Sequence, residues 1–240
     1  MIAATTEYEE LIRQTVENSR TVNPVNFLLN AIRDISVKTI NAAIKNDTSI
    51  TGTRSLVSGN PDGHILCIRE CTLAQIYKEK DRDTGDIIDC FDPENYYCDE
   101  YLKAAFEYMN IDTNDMIWIH AVPFVTKTEI GKKTIYRAPS VEEIEASSAY
   151  LEYAITALRP TVIIPIGNVA VNLFQKTNIE DIHGKKIRIR NSVGFPIYSP
   201  EFLRQLRGSE KTDVFSSYED CFYQDLENIS EYLYGIRENI

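Results

Sequence analysis

Ala157-Leu158-Arg159-Pro160-Thr161-Val162-Ile163-Ile164-Pro165-Ile166-Gly167-Asn168-Val169-Ala170 joins the end of one helix, a short buried strand and the start of a second helix. Upstream, Ser140 and Glu143 form a capping box, and Ile144, Leu151, Ile155 and Leu158 make one apolar stripe that stops before Pro160. Val162 to Ile166 is apolar throughout and too short for a helix, so it reads as a strand buried on both faces. Gly167-Asn168 then offers an N-cap to a helix running through Val169, Ala170, Val171, Leu173 and Phe174.

The same alternation extends to either side. Ile65-Leu66-Cys67-Ile68 follows the turn-rich stretch Ser58-Gly59-Asn60-Pro61-Asp62-Gly63, and Met116 to Val122 follows a helical segment from Tyr101 to Tyr108. A last strand around Phe195 to Tyr198 enters the Ser199-Pro200 loop. Strands separated by helices imply crossover connections and a small central parallel sheet in a three-layer α/β/α fold. In such sheets ligands bind beyond the carboxyl ends of the strands. Residues 69–72, 120–124, 167–168 and 198–201 should therefore converge. Residues 6–46 read as helical around a break at Asn23-Pro24, giving an N-terminal helical extension (1–48) before the main domain (49–240). Tyr218 to Ile240 reads as an acidic, tyrosine-rich helix, a surface suited to a protein partner or a solvated cover.

Composition narrows the classes. A chain of 240 residues, 43% hydrophobic and 25% charged, can bury a full core. It contains no apolar run near the roughly 18 residues of a membrane span, and its first residues lack a signal-peptide pattern, so a cytoplasmic location is expected. Five cysteines without paired zinc spacing fit free thiols in a reducing compartment. A net charge of -11 argues against nonspecific coating of nucleic acid, yet Lys185, Lys186, Arg188 and Arg190 concentrate positive charge locally.

Arg54-Ser55 through Gly63 with the strand Ile65 to Ile68, the stretch from Ala157 to Ala170, Asp181-Ile182-His183-Gly184-Lys185-Lys186 and Gly194-Phe195-Pro196 together resemble the uracil-DNA glycosylase superfamily. The resemblance spans roughly residues 50–206 and is nearest to the iron-sulfur-bearing bacterial and archaeal branch. It implies a DNA glycosylase acting on a flipped base. The site positions depart from the pattern: the first motif becomes Arg69-Glu70-Cys71-Thr72-Leu73, keeping only the acid, and His120 stands where an asparagine reads the base edge. The stacking aromatic falls near Ile88, with Phe91 the nearest alternative, and the closing His-Pro becomes Ser199-Pro200. The cluster cysteines are replaced as well, so neither an iron-sulfur cluster nor another metal or cofactor is expected.

Cleaving an N-glycosidic bond builds positive charge on the sugar and negative charge on the departing base. Glu70 suits the first, positioning water or stabilising the cation; a loop carboxylate paired with Arg69 is the competing reading. His120 suits the second, or is a satisfied buried histidine. Arg69 could grip base or phosphate, or form an ordinary salt bridge. Cys71, Thr72, Ile88, Phe91, Asn168 and Ser199 complete the expected substrate contacts, while Lys185, Lys186, Arg188 and Arg190 border a DNA path or form an exposed strand face. The expected activity is that of a monofunctional DNA glycosylase whose pocket is rebuilt for a modified, bulky or glucosylated pyrimidine of the phage type, serving anti-phage defence. A catalytically silent DNA-binding or polymerase-associated scaffold is the alternative.

Overall fold

Three apolar runs and the short stretch Ser192–Gly194 form the parallel centre of a mixed six-stranded sheet; the last strand thus ends just before the expected Phe195 to Tyr198, which keeps a single bridge from Ile197 to Ile166. The computed structural model describes residues 24–50, 54–72, 76–80, 87–91, 93–130, 133–208 and 212–237. The strands of the sheet are β1 (Ser58–Gly59), β2 (Ile65–Thr72), β5 (Met116–Val125), β8 (Val162–Pro165), β9 (Ile187–Ile189) and β10 (Ser192–Gly194). Their order is β1-β5-β2-β8-β10-β9. The inner four run parallel, whereas β1 and β9 are antiparallel edges. Two hairpins stand apart, β3 (Ile76–Lys80) with β4 (Ile87–Phe91), and β6 (Lys127–Ile130) with β7 (Lys133–Tyr136).

The helices are α1 (Pro24–Asn46), α2 (Pro93–Tyr108), α3 (Val141–Leu158), α4 (Asn168–Asn172), α5 (Ile179–Ile182), α6 (Pro200–Gly208) and α7 (Thr212–Arg237). Strand alternation divides the core in two. Ile65, Cys67 and Met116 face Leu102 and Phe106 of α2 and Phe222, Leu226 and Ile229 of α7. Leu66, Ile68, Ile117 and Ile119 face Ile40 and Ile44 of α1 and Leu151, Ile155 and Leu158 of α3. The sheet thus has helices on both sides, as the alternation of helices and strands implies.

α1 belongs to that packing. Asn41 makes a reciprocal pair with Val57, donating to its carbonyl at 3.0 Å and accepting from its N–H at 2.8 Å, and Arg33 donates to the Asp62 carbonyl at 2.9 Å. The stretch 24–46 is therefore one layer of the fold. The helical reading of 6–23 lies outside the described residues. α3 starts on the expected box, with Ser140 and Glu143 exchanging both bonds, and ends at Arg159 in the left-handed region, where Pro160 blocks continuation.

Candidate active site

Two cavities meet near the carboxyl end of β2, the larger of them running along β5 past Ser58 to Thr113 and Asn114 at that strand's amino end. Period-two alternation on β2 sends Arg69 to the α2/α7 face with Cys67, and Glu70 to the opposite face with Ile68. Arg69 pairs in register with His120 of β5. Both line a cavity of about 670 Å³ together with Arg54, Leu102, Lys103 and Trp118. Glu70 lines a second cavity of about 250 Å³ with Asn168, Tyr198, Ser199, Glu201 and Phe202. An ion pair between Arg69 and Glu201 of α6 joins the walls of the two, with the side chains only 11% and 22% exposed.

Glu70 is held by the turn that follows β8. Val169 N–H donates to its Oε1 at 3.0 Å, and Gly167, at φ 86°, leaves the space that the carboxylate occupies. Burial raises the Glu70 pKa above the ordinary glutamate value, helped by the nearby Glu201 carboxylate; the Val169 and Asn168 N–H groups and Arg69 oppose the rise. Asn168 uses its own side chain to accept from Ile179 N–H at 2.9 Å, tying α5 to the same turn.

His120 is driven the other way. Desolvation and the neighbouring Arg69 cation push its pKa down to about 3, so the imidazole is neutral near pH 7. Its enclosed Nδ1 has no hydrogen-bond partner among the described residues, a costly state that a ligand or water would relieve. Ser199 is 7% exposed, and its Oγ accepts from Phe202 N–H at 3.2 Å, capping α6 with Pro200 in the first helical position.

The other expected contacts fall differently. Cys71 is buried, its sulfur accepting from Thr126 Oγ1 at 3.9 Å, with burial raising its pKa to about 11. Thr72 ends β2, while Ile88 and Phe91 lie on β4 opposite Glu79 and Ile76; their side chains lie outside the described residues. The basic cluster is on edge strand β9. Lys185 Nζ donates to the Asp181 carbonyl at 2.6 Å, and Lys186 sits 4.3 Å over the Tyr232 ring. Arg188 donates to the Arg190 carbonyl at 3.0 Å, and Arg190 pairs with Glu152 at the opposite end of β9. Because Ile187 pairs with Gly194 and Ile189 with Ser192, Lys185 and Lys186 lie at the site end.

Trp118 escaped the sequence reading, although it lies two positions before His120 on the same strand face. Glu201 falls within the loop 198–201 expected at the site, but its pairing with Arg69, 132 positions away, could not be read from the sequence. The acidic C-terminal segment is α7, whose Phe222, Leu226 and Ile229 enter the core.

Cys67 is buried in the core and, like Cys71 and Cys221, is a free thiol. Among the described residues no three His, Cys, Asp or Glu side chains gather to hold a metal. These positions do not fit an iron-sulfur cluster. No described helix is long and apolar enough to cross a membrane.

The sheet is parallel at its centre with helices on both sides, an α/β architecture in which a buried carboxylate, a neutral imidazole and a guanidinium meet near the strand ends. The family model for the uracil DNA glycosylase superfamily matches residues 94–222, more than half of the chain, and the protein belongs to that superfamily. DNA glycosylase activity is its general activity, and DNA the partner that activity requires. No curated protein matches the chain.

Proposed function

We propose that the protein is a monofunctional DNA glycosylase that accepts a flipped base in the 670 Å³ cavity and uses Glu70 to direct water onto the sugar. The two-cavity arrangement carries this reading. Displacement at the anomeric carbon needs the departing base on one side and the incoming water on the other. Here His120 and Arg69 line one cavity and Glu70 the adjoining one. A deoxyribose resting over the Arg69–Glu201 pair would place its anomeric carbon between them.

His120, being neutral, would hydrogen-bond the base without contributing charge. The larger cavity lies within the roughly 300–1,000 Å³ of pockets for drug-sized ligands. That volume supports a pyrimidine bearing a bulky substituent, hydroxymethylated or glucosylated, as in modified phage DNA, and hence a role in defence against such DNA. Lys185 and Lys186, exposed at the site end of β9, supply the charge for backbone contacts.

The test is incubation with duplex and single-stranded oligonucleotides carrying uracil, thymine, hydroxymethylated or glucosylated cytosine, followed by detection of alkali-labile sites and free base. Glu70→Gln should lower release roughly 10²–10⁴-fold, the usual contribution of a positioned base, with DNA affinity kept. Release unaffected by that substitution would overturn the assignment of Glu70.

The commitment of Ser199 to the α6 cap favours a second reading, a scaffold of this fold that binds DNA without cleaving it. DNA binding with no base released from any substrate would select it.

A further inference from the structure

We infer that Arg69, braced by Glu201, is the group that meets the negative charge on the departing base, and that Glu201 is its positioning residue. The inference rests on the reading that the larger cavity receives a flipped base.

Position comes first. Arg69 leaves β2 beside His120 and lines the same cavity as Trp118. Its side chain is nearly buried, so the guanidinium acts where water screens it little. Glu201 grips it from the other side of the wall, since Glu201 lines the smaller cavity. That grip fixes a side chain which otherwise has considerable rotamer freedom, and preorganised charge is what stabilises charge developing in a transition state.

The alternatives at this spot are weaker. The Ser199 hydroxyl accepts a helix-capping bond, and the imidazole of His120 is neutral. The sequence of α6 explains the bracing: Ser199 caps, Pro200 starts the helix, and Glu201 follows in its first turn. The closing loop thus acts on the base through Glu201 and Arg69.

The glycosidic C–N bond breaks and its electron pair goes to the base nitrogen, giving an anion paired with the Arg69 guanidinium. The oxygen of water bonds to the anomeric carbon, and the water proton passes to the Glu70 carboxylate. The base is protonated by solvent after release.

Trp118 is the single tryptophan of the chain, so quenching of its fluorescence reports occupancy of this cavity. The probes are 5-nitrouracil at pH 8, where its ring is an anion, and thymine, a neutral ring of similar size. Wild type should bind 5-nitrouracil saturably and more tightly than thymine. The charge-matched double variant Arg69→Met/Glu201→Gln removes both members of the ion pair together, with Glu70 still held by the Val169 N–H; it should bind 5-nitrouracil roughly tenfold to hundredfold more weakly, with thymine binding unchanged. Arg69→Lys, which keeps the charge, should retain most of the preference. Equal affinity for 5-nitrouracil in wild type and double variant, or no saturable quenching by wild type, overturns the inference.

Base release separates this inference from the reading beneath it. Quenching that depends on Arg69, in a protein releasing no base, sustains the anion site and sinks the glycosylase reading. Release that survives in the double variant, with the same dependence on leaving-group acidity between 5-fluorouracil and uracil oligonucleotides, does the reverse.

Discussion

Gly167→Ala probes the turn that holds Glu70. Gly167 has φ 86° and ψ 171°, in a region essentially reserved for glycine, where another residue is strained by about 1–3 kcal/mol. An added Cβ would also stand 2.7 Å from Glu70 Cδ and 3.0 Å from its Cγ. The carboxyl must therefore move, forfeiting the 3.0 Å bond from Val169 N–H, a charge-assisted bond of about 1.5–3 kcal/mol. Together these give a loss of roughly 2.5–6 kcal/mol, or a fall of roughly 5–24 °C in Tm for a chain of this size. Urea unfolding followed by circular dichroism measures it, for wild type, Gly167→Ala, Glu70→Ala and the double variant. Glu70→Ala removes the atoms that the new methyl meets but leaves the backbone strain. The two substitutions should therefore couple by about 1–2 kcal/mol, the double variant being more stable than the sum of the single losses predicts. Strict additivity, or a Gly167→Ala protein as stable as wild type, would refute the claim that this glycine exists to seat Glu70.

Charge reversal at Lys185 and Lys186 should weaken DNA binding and lower the log–log salt slope by about 2, since each phosphate contact contributes about 0.9; Arg190→Ala, whose guanidinium pairs with Glu152 away from the site, should leave the slope unchanged. Asp225 is 3% exposed beneath His183, whose Nδ1 is 3.0 Å from both carboxylate oxygens. Burial raises the Asp225 pKa to about 6 against the lowering by His183. Because the folded value exceeds the ordinary 3.8, the stability tied to this proton is full below about pH 4 and lost as pH rises through 6. The urea midpoint of wild type relative to Asp225→Asn should accordingly fall across that window, and a constant difference would contradict the linkage. Ser199→Ala should cost about 0.5–2 kcal/mol of stability, measured by urea unfolding, with Ser199→Thr, which keeps the capping oxygen without adding a charge beside Glu70 and Glu201, recovering part of it.

The frame of the fold was legible because its signals are local. The Ser140 box, the Pro160 stop, the apolar run Val162 to Ile166 and the Gly167 turn each need only neighbouring residues, and each has its counterpart in the structure. Of the antiparallel edges, the exposed strand face through Ile187 and Ile189 was legible, but neither β1 nor the hairpin that pairs β9 with β10 was. β1 is only Ser58–Gly59, and β9 and β10 are joined by Arg190-Asn191, with Arg190 at φ 54° in place of the glycine that usually marks a hairpin. At the site, strand order and alternation were enough to bring Arg69, Glu70, His120, Asn168 and Ser199 to one end of the sheet. They were not enough to divide that end into two cavities, because the division depends on Glu201 reaching Arg69 from a helix far along the chain.

The task of Ser199 in the fold is to start α6. A histidine there would lack the short side-chain oxygen with which Ser199 accepts from Phe202 N–H, and with Ser199 only 7% exposed an imidazole would have to displace its neighbours. With serine, α6 starts firmly at Pro200, and its first turn carries Glu201 to Arg69. The segment that caps α6 therefore also sets the residue that holds Arg69. Ser199→His alone would therefore weaken the α6 start while leaving Arg69 in the cavity wall.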